Sequence, residues 1–523
     1  MLRPCGTNNQ FTIISIEYHC DGYSMAVKFF CEKHKNLSRI KLILSVAFGK
    51  GYVFMLTENT HYGADAVRNI LKDCRGVFFI GIGGINMSSL AHLTHASGYY
   101  VAGSDHTRSA LCERLEREGI KISYEHKAEN IEGCDVIVYT VAIPDDNPEY
   151  SAARAAGLPC ISRADYMGYL MTGYRRRIGI SGMHGKSTCT SMCASVFMDA
   201  GVDPTVLSGA ELAKMGGAWR VGSRDSMIFE ACEYRDSFLD FYPTIAVILN
   251  IEPDHLDYFS GIDHIKNSFE AFVKRPGCEC VVANADDENV REVVERAGVP
   301  TVTFSLHSPG ADYLATNIVA ENGKYSFDVL RRGEFLCRVH LAIPGLHSIS
   351  NALAALAVAD LCGIPAEDIC RGLGYFTGAS RRMEYKGKLK GARVYDDYAH
   401  HPTEIRASLE ALAAVRPDDS RGELICVFQS HTYNRTAALF DEFATAFEAA
   451  DRVIVADIYA ARVGEDCGVS AEKLAQAIGM RAEYVGDMAH IAEYLNNNIR
   501  EDDTLIIMGA GDICKLFSML ELD

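Results

Sequence analysis

Two glycines, a lysine and two hydroxyl residues stand close together in Gly182-Met183-His184-Gly185-Lys186-Ser187-Thr188. Where such a turn opens a helix, its backbone N–H groups and the positive end of the helix dipole surround a phosphate. Lys186 can then reach the outer phosphates of a nucleoside triphosphate, and the Ser187 hydroxyl can bind Mg²⁺. The full phosphate-loop pattern is not met, because Ile180 stands where it asks for glycine; what remains is the shorter Gly-x-x-Gly-Lys-Ser-Thr. A chance Gly-Lys-Ser turn is the bland alternative, and a strand before and a helix after argue against it. Two acidic segments follow, Glu230-Ala231-Cys232-Glu233 and Asn250-Ile251-Glu252-Pro253-Asp254-His255, each just past an apolar run that reads as a strand. Mg²⁺ takes oxygen ligands beside a phosphate, so Glu233 and His255 are candidate metal ligands. For His255 the competing reading is a capping or core histidine.

An earlier glycine turn, Gly81-Ile82-Gly83-Gly84 with Met87 behind it, is followed by Asp105 at the end of the next strand. This resembles a dinucleotide fingerprint with Asn86 in place of the third glycine. Such a loop binds a diphosphate whatever is attached to it; a tight turn with no ligand is the alternative. Four polar segments end strands of a third block. They are Asp396 to Glu404, Gln429 to Thr436, Asp457-Ile458-Tyr459 and Gly509 to Asp512. Four such loops at one edge of one sheet suit a substrate site, and Arg435 suits a carboxylate or phosphate.

The elements that must hold these residues alternate strand, turn and helix, which implies parallel sheets with helices on their faces. Val77 to Ile80 reads as a buried strand, and Met87 to Ala96 as a helix stopped by Gly98. Ile178-Gly179-Ile180 leads into the phosphate loop, and Ser187 to Ala200 is a helix with Gly201 beyond it. Asn351 to Leu361 is an Ala-rich helix, and Ala392 to Tyr395, Leu424 to Phe428, Val453 to Val455 and Leu505 to Met508 are later strands. The first 70 or so residues, with Cys5, Cys20 and Cys31, show no sustained period and read as an extension. The expected division is 1–72 for that extension, 73–174, 175–383 and 384–523.

Composition narrows the class. At 523 residues and 48% hydrophobic content the chain has ample core for about three domains. Its net charge of −18 disfavours nucleic acid and anionic membranes, and Arg175-Arg176-Arg177 is too short a basic run to reverse that. The 18 cysteines include no Cys-x-x-Cys pair and point to free thiols in a reducing, cytoplasmic setting. Insertion in a membrane is not expected: Leu42 to Leu56 is broken by Gly49, Lys50 and Gly51, and no signal-peptide pattern opens the chain.

Taken in order, Gly-Ile-Gly-Gly-x-x-Met, Gly-x-His-Gly-Lys-Ser-Thr, Glu-Ala-Cys-Glu, Asn-Ile-Glu-x-Asp-His-Leu-Asp, Asp-Asp-Tyr-Ala-His-His-Pro-Thr-Glu and Phe-Gln-x-His-x-Tyr-x-Arg-Thr resemble the Mur ligases. The resemblance runs from about Gly76 to the C-terminus. It implies an α/β protein of three domains: a Rossmann-like domain for a UDP sugar, a central ATPase domain, and a C-terminal Rossmann-like domain. It implies ATP-dependent joining of L-alanine to the lactyl carboxylate of UDP-N-acetylmuramate through an acyl phosphate, in peptidoglycan precursor synthesis, by a monomer or homodimer. Gly83, Gly84, Met87 and Ser88 would contact the diphosphate end of the sugar nucleotide, and Ser104 and Asp105 the nucleoside side. Lys186 and Ser187 would hold phosphates and Mg²⁺, with Glu233 and His255 at metals. Asn284, His347 and Asn351 would lie near the nucleotide, and Arg381 and Arg382 would close on phosphate. Tyr398, His400, His431 and Arg435 would meet the sugar carboxylate and the amino acid. Cys232 stands where some members carry Asp, and Thr432 where some carry Arg; neither Lys266 nor Lys274 is aligned by a motif with the lysine that several relatives modify. Three other readings remain in view: a sibling ligase that attaches a preformed peptide, a nicotinamide dehydrogenase built on the first block, and a non-catalytic nucleotide-binding regulator.

Overall fold

The run Val77-Phe78-Phe79-Ile80 is apolar on every residue because it is covered on both faces. All of it is buried in strand Gly76–Ile80, at the middle of a five-stranded sheet. The structure is a computed structural model. It describes residues 57–523 apart from 257, 322–323, 417–420 and 461–467, and ahead of them the strands Leu2–Asn8, Phe11–Cys20 and Tyr23–Glu32. Two compact units result, Met1–Glu58 with Val141–Asn147, and Asn59–Thr140 with Pro148–Asp523. In the first unit the three strands pair antiparallel in chain order; the rest of the expected extension up to residue 56 lies outside the described residues. Helix Ala64–Leu71, also within that stretch of sequence, belongs to the second unit and contributes Val67 and Leu71 to its core.

The second unit holds three sheets, the mixed α/β architecture expected from the alternation. The five-stranded sheet is parallel throughout, in the order Lys121–Ser123, Tyr100–Ser104, Gly76–Ile80, Val136–Tyr139, Cys160–Ser162. Strand order reverses at Gly76–Ile80, so the crevice where such sheets take ligands opens beside its glycine turn. The last sheet has six strands. Ala392–Asp397, Thr504–Met508, Leu424–Phe428, Arg452–Ala456 and Ala482–Gly486 run parallel, with Glu384–Leu389 antiparallel at the edge.

The ten-stranded central sheet explains the spacing of the chemistry-bearing motifs. Strand Arg176–Ser181 lies between Ser226–Glu230 and Ile245–Ile248, parallel to both, with Ile178 opposite Ile228 and Ile245. The phosphate loop and the two acidic segments follow these three strands. Parallel register therefore delivers all three motifs to one edge, although 70 residues of sequence separate Gly185 from His255. Behind the loop, helix Lys186–Asp199 is buried between the sheet and two further helices. Leu346–Leu361 is apolar on all sides and carries no exposed charge on its buried turns, and Ala366–Gly374 crosses behind. Among the described residues no helix is long and apolar enough to cross a membrane.

The second crossing is close. Ser195 Oγ donates to Gly372 O at 3.1 Å, and a Cβ on Gly372 would stand 2.6 Å from Val196 Cα. We expect Gly372→Ala to force the helices apart and to lower stability by about 1–3 kcal/mol, measured by urea denaturation; an unchanged midpoint would show that the helices yield without cost.

Candidate active site

Gly185 caps the phosphate-loop helix in the left-handed conformation, φ 84°, where a Cβ would also meet Asn351 Oδ1 at 2.7 Å. His184 and Asn250 fasten the loop to the neighbouring strand end. The His184 N–H donates to Asn250 Oδ1 at 2.8 Å, and Asn250 Nδ2 donates back to His184 O at 3.0 Å. Met183 is buried and its N–H donates to Asn250 O at 3.3 Å. Lys186 turns back over the loop. Its Nζ donates to Gly182 O at 2.5 Å and Met183 O at 3.0 Å, and lies 3.0 Å from Glu233 Oε2. Thr188 follows on the helix and lines the adjoining cleft.

Glu233 is fully buried. Burial alone would push its pKa up, but Lys186 and then His255 outweigh it and hold the carboxyl below its ordinary range. His255 Nε2 is 3.4 Å from Glu233 Oε1, and its ring packs 4.7 Å from that of Tyr234. Glu233 Oε2 has Lys186 beside it yet no aligned hydrogen bond. Ser187 Oγ, at the start of the same helix, is reached by Arg382 Nη2 at 3.3 Å. A buried carboxylate with an unused oxygen and a hydroxyl at a phosphate loop are donors that suit Mg²⁺. Glu230 is turned elsewhere, accepting from the Gly209 N–H and, at 3.3 Å, from Ser208. Cys232 is a thiol whose pKa burial pushes up, so Glu233 and not Cys232 supplies the charge beside Lys186. Lys266 pairs with Glu292 at 2.8 Å and Lys274 with Glu270 at 2.6 Å.

The C-terminal sheet brings its own loops to this edge. Arg381 and Arg382 each stack over the Tyr398 ring at 4.9 Å, and Arg381 Nη2 donates to Gly509 O at 2.6 Å. His400 Nδ1 lies 3.0 Å from Tyr398 O and 3.2 Å from Glu404 Oε2. The His400 ring approaches that of His431 at 6.0 Å, and His431 stacks on Tyr459 at 5.7 Å. Arg435 Nη2 bonds Asp254 Oδ1 of the central domain at 2.9 Å. Burial would raise the Asp254 pKa, but His255 and Arg435 hold it well below its ordinary value.

His184 sits between two carboxylates, its Nδ1 3.2 Å from Glu404 Oε1 and its Nε2 3.6 Å from Glu252 Oε2. Burial pushes His184 down, yet these neighbours prevail and hold its pKa at about 9. His184, Glu252 and His401 each offer a ligand atom within 4.8 Å of the others. Both imidazoles oppose a metal there. His401 Nδ1 accepts the Thr403 N–H at 3.3 Å, so Nε2 carries the ring proton. Protonated His184 already supplies the positive charge that a cation would bring. Glu252, Glu404 and Asp254 were not singled out by the sequence reading. Glu404 had a usable signal, since it is the third residue of a helix opened by His401-Pro402 and closes a capping box with His401. Glu252 and Asp254 stood in the acidic segment past a strand, but their pairings had no signal, because the partners lie 151 and 181 residues away.

A cleft beside the loop is lined by His184, Asn284, His347, Asn351, Asp397 and Glu404, among others. Burial pushes His347 down to about 4, so it is a neutral imidazole there. Asn284 Nδ2 donates to Leu249 O at 2.9 Å, which joins the cleft wall to the loop's neighbouring strand. In the first sheet, Gly83 N–H donates to Asp105 Oδ2 at 2.9 Å, and Gly84 precedes helix Ile85–Ala96. Two residues expected at the diphosphate are not presented as side chains. Met87 lies in the hydrophobic core, and Ser88 is buried with its hydroxyl donating to Ile85 O at 3.0 Å. Helix periodicity turns both inward. Ser104 is likewise buried, donating to Glu149 Oε2 at 2.7 Å.

Family models match three segments: "Mur ligase family, catalytic domain" over residues 77–175, "Mur ligase middle domain" over 180–359, and "Mur ligase, glutamate ligase domain" over 381–511. A UDP-N-acetylmuramate--L-alanine ligase of Caldanaerobacter subterraneus is 45% identical over 448 residues, covering 85% of this chain and 96% of the relative. One from Clostridium novyi is 43% identical over 456 residues, covering 86% and 98%. Among solved structures, the UDP-N-acetylmuramate-alanine ligase of Thermotoga maritima superposes with a TM-score of 0.72 at 27% identity, covering 84% of this chain and 97% of that one. A murein peptide ligase of Psychrobacter arcticus shares the fold at TM-score 0.65 and 22% identity, covering 85% and 98%. With the loop, the acidic segments and the C-terminal arginine all at one edge, and relatives of this identity along nearly their whole length, the chain belongs to the Mur ligase family.

Proposed function

We propose that this chain joins L-alanine to the lactyl carboxylate of UDP-N-acetylmuramate at the expense of ATP, with Mg²⁺, in the cytoplasmic assembly of peptidoglycan precursors. The observation that carries the reading is the meeting of Lys186, Glu233 and His255 with Arg382 and the Arg435–Asp254 pair at one sheet edge. The named relatives at 43–45% identity support alanine as the amine over a preformed peptide. The phosphate loop and Asn86 set the dehydrogenase reading aside.

The carboxylate oxygen takes the γ-phosphoryl group and ADP leaves; the alanine nitrogen then attacks the acyl carbon and phosphate departs with the bonding electrons. In this scheme the protein aligns reactants and balances charge. Lys186, released from its carbonyl partners, would turn to the phosphoryl oxygens. Glu233 and Ser187 would hold Mg²⁺, with His255 beside them; the ion, when bound, neutralises charge on the transferring phosphoryl group. Asn284, His347 and Asn351 would flank the nucleotide in the neighbouring cleft, and Arg381 and Arg382, stacked on Tyr398, would close over it. Gly83, Gly84 and Asp105 would cradle the sugar nucleotide through backbone and carboxylate. The alanine ammonium must lose a proton before attack. His400, with Nδ1 held at Tyr398 O, keeps Nε2 as its basic nitrogen and is our candidate to take that proton, near His431.

Phosphate release with ATP and UDP-N-acetylmuramate should depend on L-alanine and not respond to a tripeptide; release that ignores L-alanine would sink the assignment. Lys186→Ala should cut kcat by roughly 10²–10³-fold or more while the circular dichroism spectrum stays native. Full turnover in that variant would remove the phosphate loop from the chemistry. The His184 contacts give a pH dependence. Its folded pKa of about 9 lies above its ordinary 6.5, so its stabilisation is complete below about pH 6.5 and is lost as pH rises through about 9. Wild-type thermal stability should therefore fall over that window relative to His184→Gln, and parallel curves would contradict the ion triad.

A further inference from the structure

Arg163 is a cation in the wrong place for stability. It is the first residue of helix Arg163–Met171, directly after the N-cap Ser162, whose hydroxyl accepts the Asp165 N–H at 3.4 Å. The N-terminus of a helix carries partial positive charge, so an arginine there is repelled where an aspartate or glutamate would be favoured. The residue is partly buried, and burial pushes its guanidinium pKa down from the ordinary value. Among the described residues the guanidinium makes no hydrogen bond, ion pair or ring contact. Of the groups that act on it, Cys232 is a neutral thiol, and Asp240 gives Oδ1 to His61 at 2.8 Å while its Oδ2 makes no hydrogen bond. A guanidinium has five donors and sheds its water at a cost, so one left unpaired in a partly buried place is destabilising on its own.

Its position in the fold says what would compensate it. Arg163 follows strand Cys160–Ser162 at the C-terminal edge of the parallel first sheet, the edge where Gly81 to Gly84 and Asp105 also lie. Its helix packs tightly on the central domain just past Glu233: a Cβ on Gly168 would meet Asp240 O at 2.0 Å. The guanidinium thus stands where the sugar-nucleotide crevice meets the segment Glu230-Ala231-Cys232-Glu233 that leads to the phosphate loop. A sugar nucleotide held at this edge with its carboxylate at the reacting centre would lie close to this junction.

We propose that Arg163 is a substrate-binding residue that pairs with an anionic oxygen of the UDP sugar, a diphosphate or carboxylate oxygen, as that substrate crosses from the first domain to the central one. This rests on the function proposed above. The bidentate fork of arginine matches either group, and the free protein carries the unpaired charge so that the bound state can satisfy it.

The test uses the full chain and Arg163→Gln, with Arg163→Lys as the conservative variant. Affinity is measured for UDP-N-acetylmuramate, for UDP-N-acetylglucosamine, which has the same diphosphate without the lactyl carboxylate, and for ATP. The glutamine variant should bind UDP-N-acetylmuramate about tenfold or more weakly, with ATP affinity unchanged and partial recovery in the lysine variant. The melting temperature of ligand-free Arg163→Gln should equal or exceed that of the wild type, an outcome that a structural arginine would not give. Equal loss for both sugars identifies the diphosphate as the partner, and loss for the muramate alone identifies the carboxylate. Unchanged sugar affinity beside a binding wild type, or a fall in melting temperature with ATP affinity lost in parallel, overturns the proposal. A wild type that binds neither sugar overturns the functional reading and this one with it.

Discussion

Lys186 and Glu233 occupy positions that neither could hold alone. A carboxylate with no exposed surface and an ammonium folded back over a loop would each carry a large desolvation cost, and their 3.0 Å contact offsets it. Much of the central domain follows from that pair. It requires the strands ending in Ser181 and Glu230 to be neighbours in parallel register, which they are. It requires a helix to begin at Lys186 with its positive end at the same spot, and Gly185 makes that start possible. In the reaction proposed, a bound triphosphate would offer Lys186 a denser negative charge than Glu233 does, and a divalent cation would offer Glu233 a better partner than lysine. On that reading the free protein holds each group beside a stand-in for its partner, and little reorganisation would be needed when the ligands arrive.

What could be read from the sequence was whatever one short segment specifies by itself. The phosphate loop is such a segment, since its backbone geometry is set by residues within seven positions of one another. Glu233 was legible for a related reason: a strand followed by an acidic residue in a parallel sheet can only end at the ligand edge. The alternation of apolar runs and helices gave the three sheets. Pairings between domains were not legible. Arg435 read as a substrate arginine, and the structure shows its guanidinium on Asp254, a partner 181 residues distant. His184 read as one residue of the phosphate loop, and the structure makes it the charged centre between Glu252 and Glu404. Met87 and Ser88 show a different limit. They belong to a short motif, but the helix they open turns them into the core, and a motif's spacing does not report which way its side chains face.

Contacts between the central and C-terminal domains share one character. Ser187 meets Arg382 at 3.3 Å, Thr403 meets Glu252 at 2.8 Å, Asp254 meets Arg435 at 2.9 Å and His184 meets Glu404 at 3.2 Å. The apolar clusters, by contrast, stay on their own sides: one is built from residues 399–508 and its neighbour from 178–376. An interface held by polar pairs can open at the cost of exchanging them for water, whereas separating apolar cores would expose large surfaces that water does not repay. Three substrates have to enter and three products have to leave in the reaction proposed for this chain, and its acyl phosphate must be kept from water between those events. Polar pairing at the junction meets both demands. Each pair is buried enough to hold when the domains meet, and each includes a charged group that a phosphate, carboxylate or cation can compete for, so arrival and departure of ligands act directly on the contacts that keep the domains together.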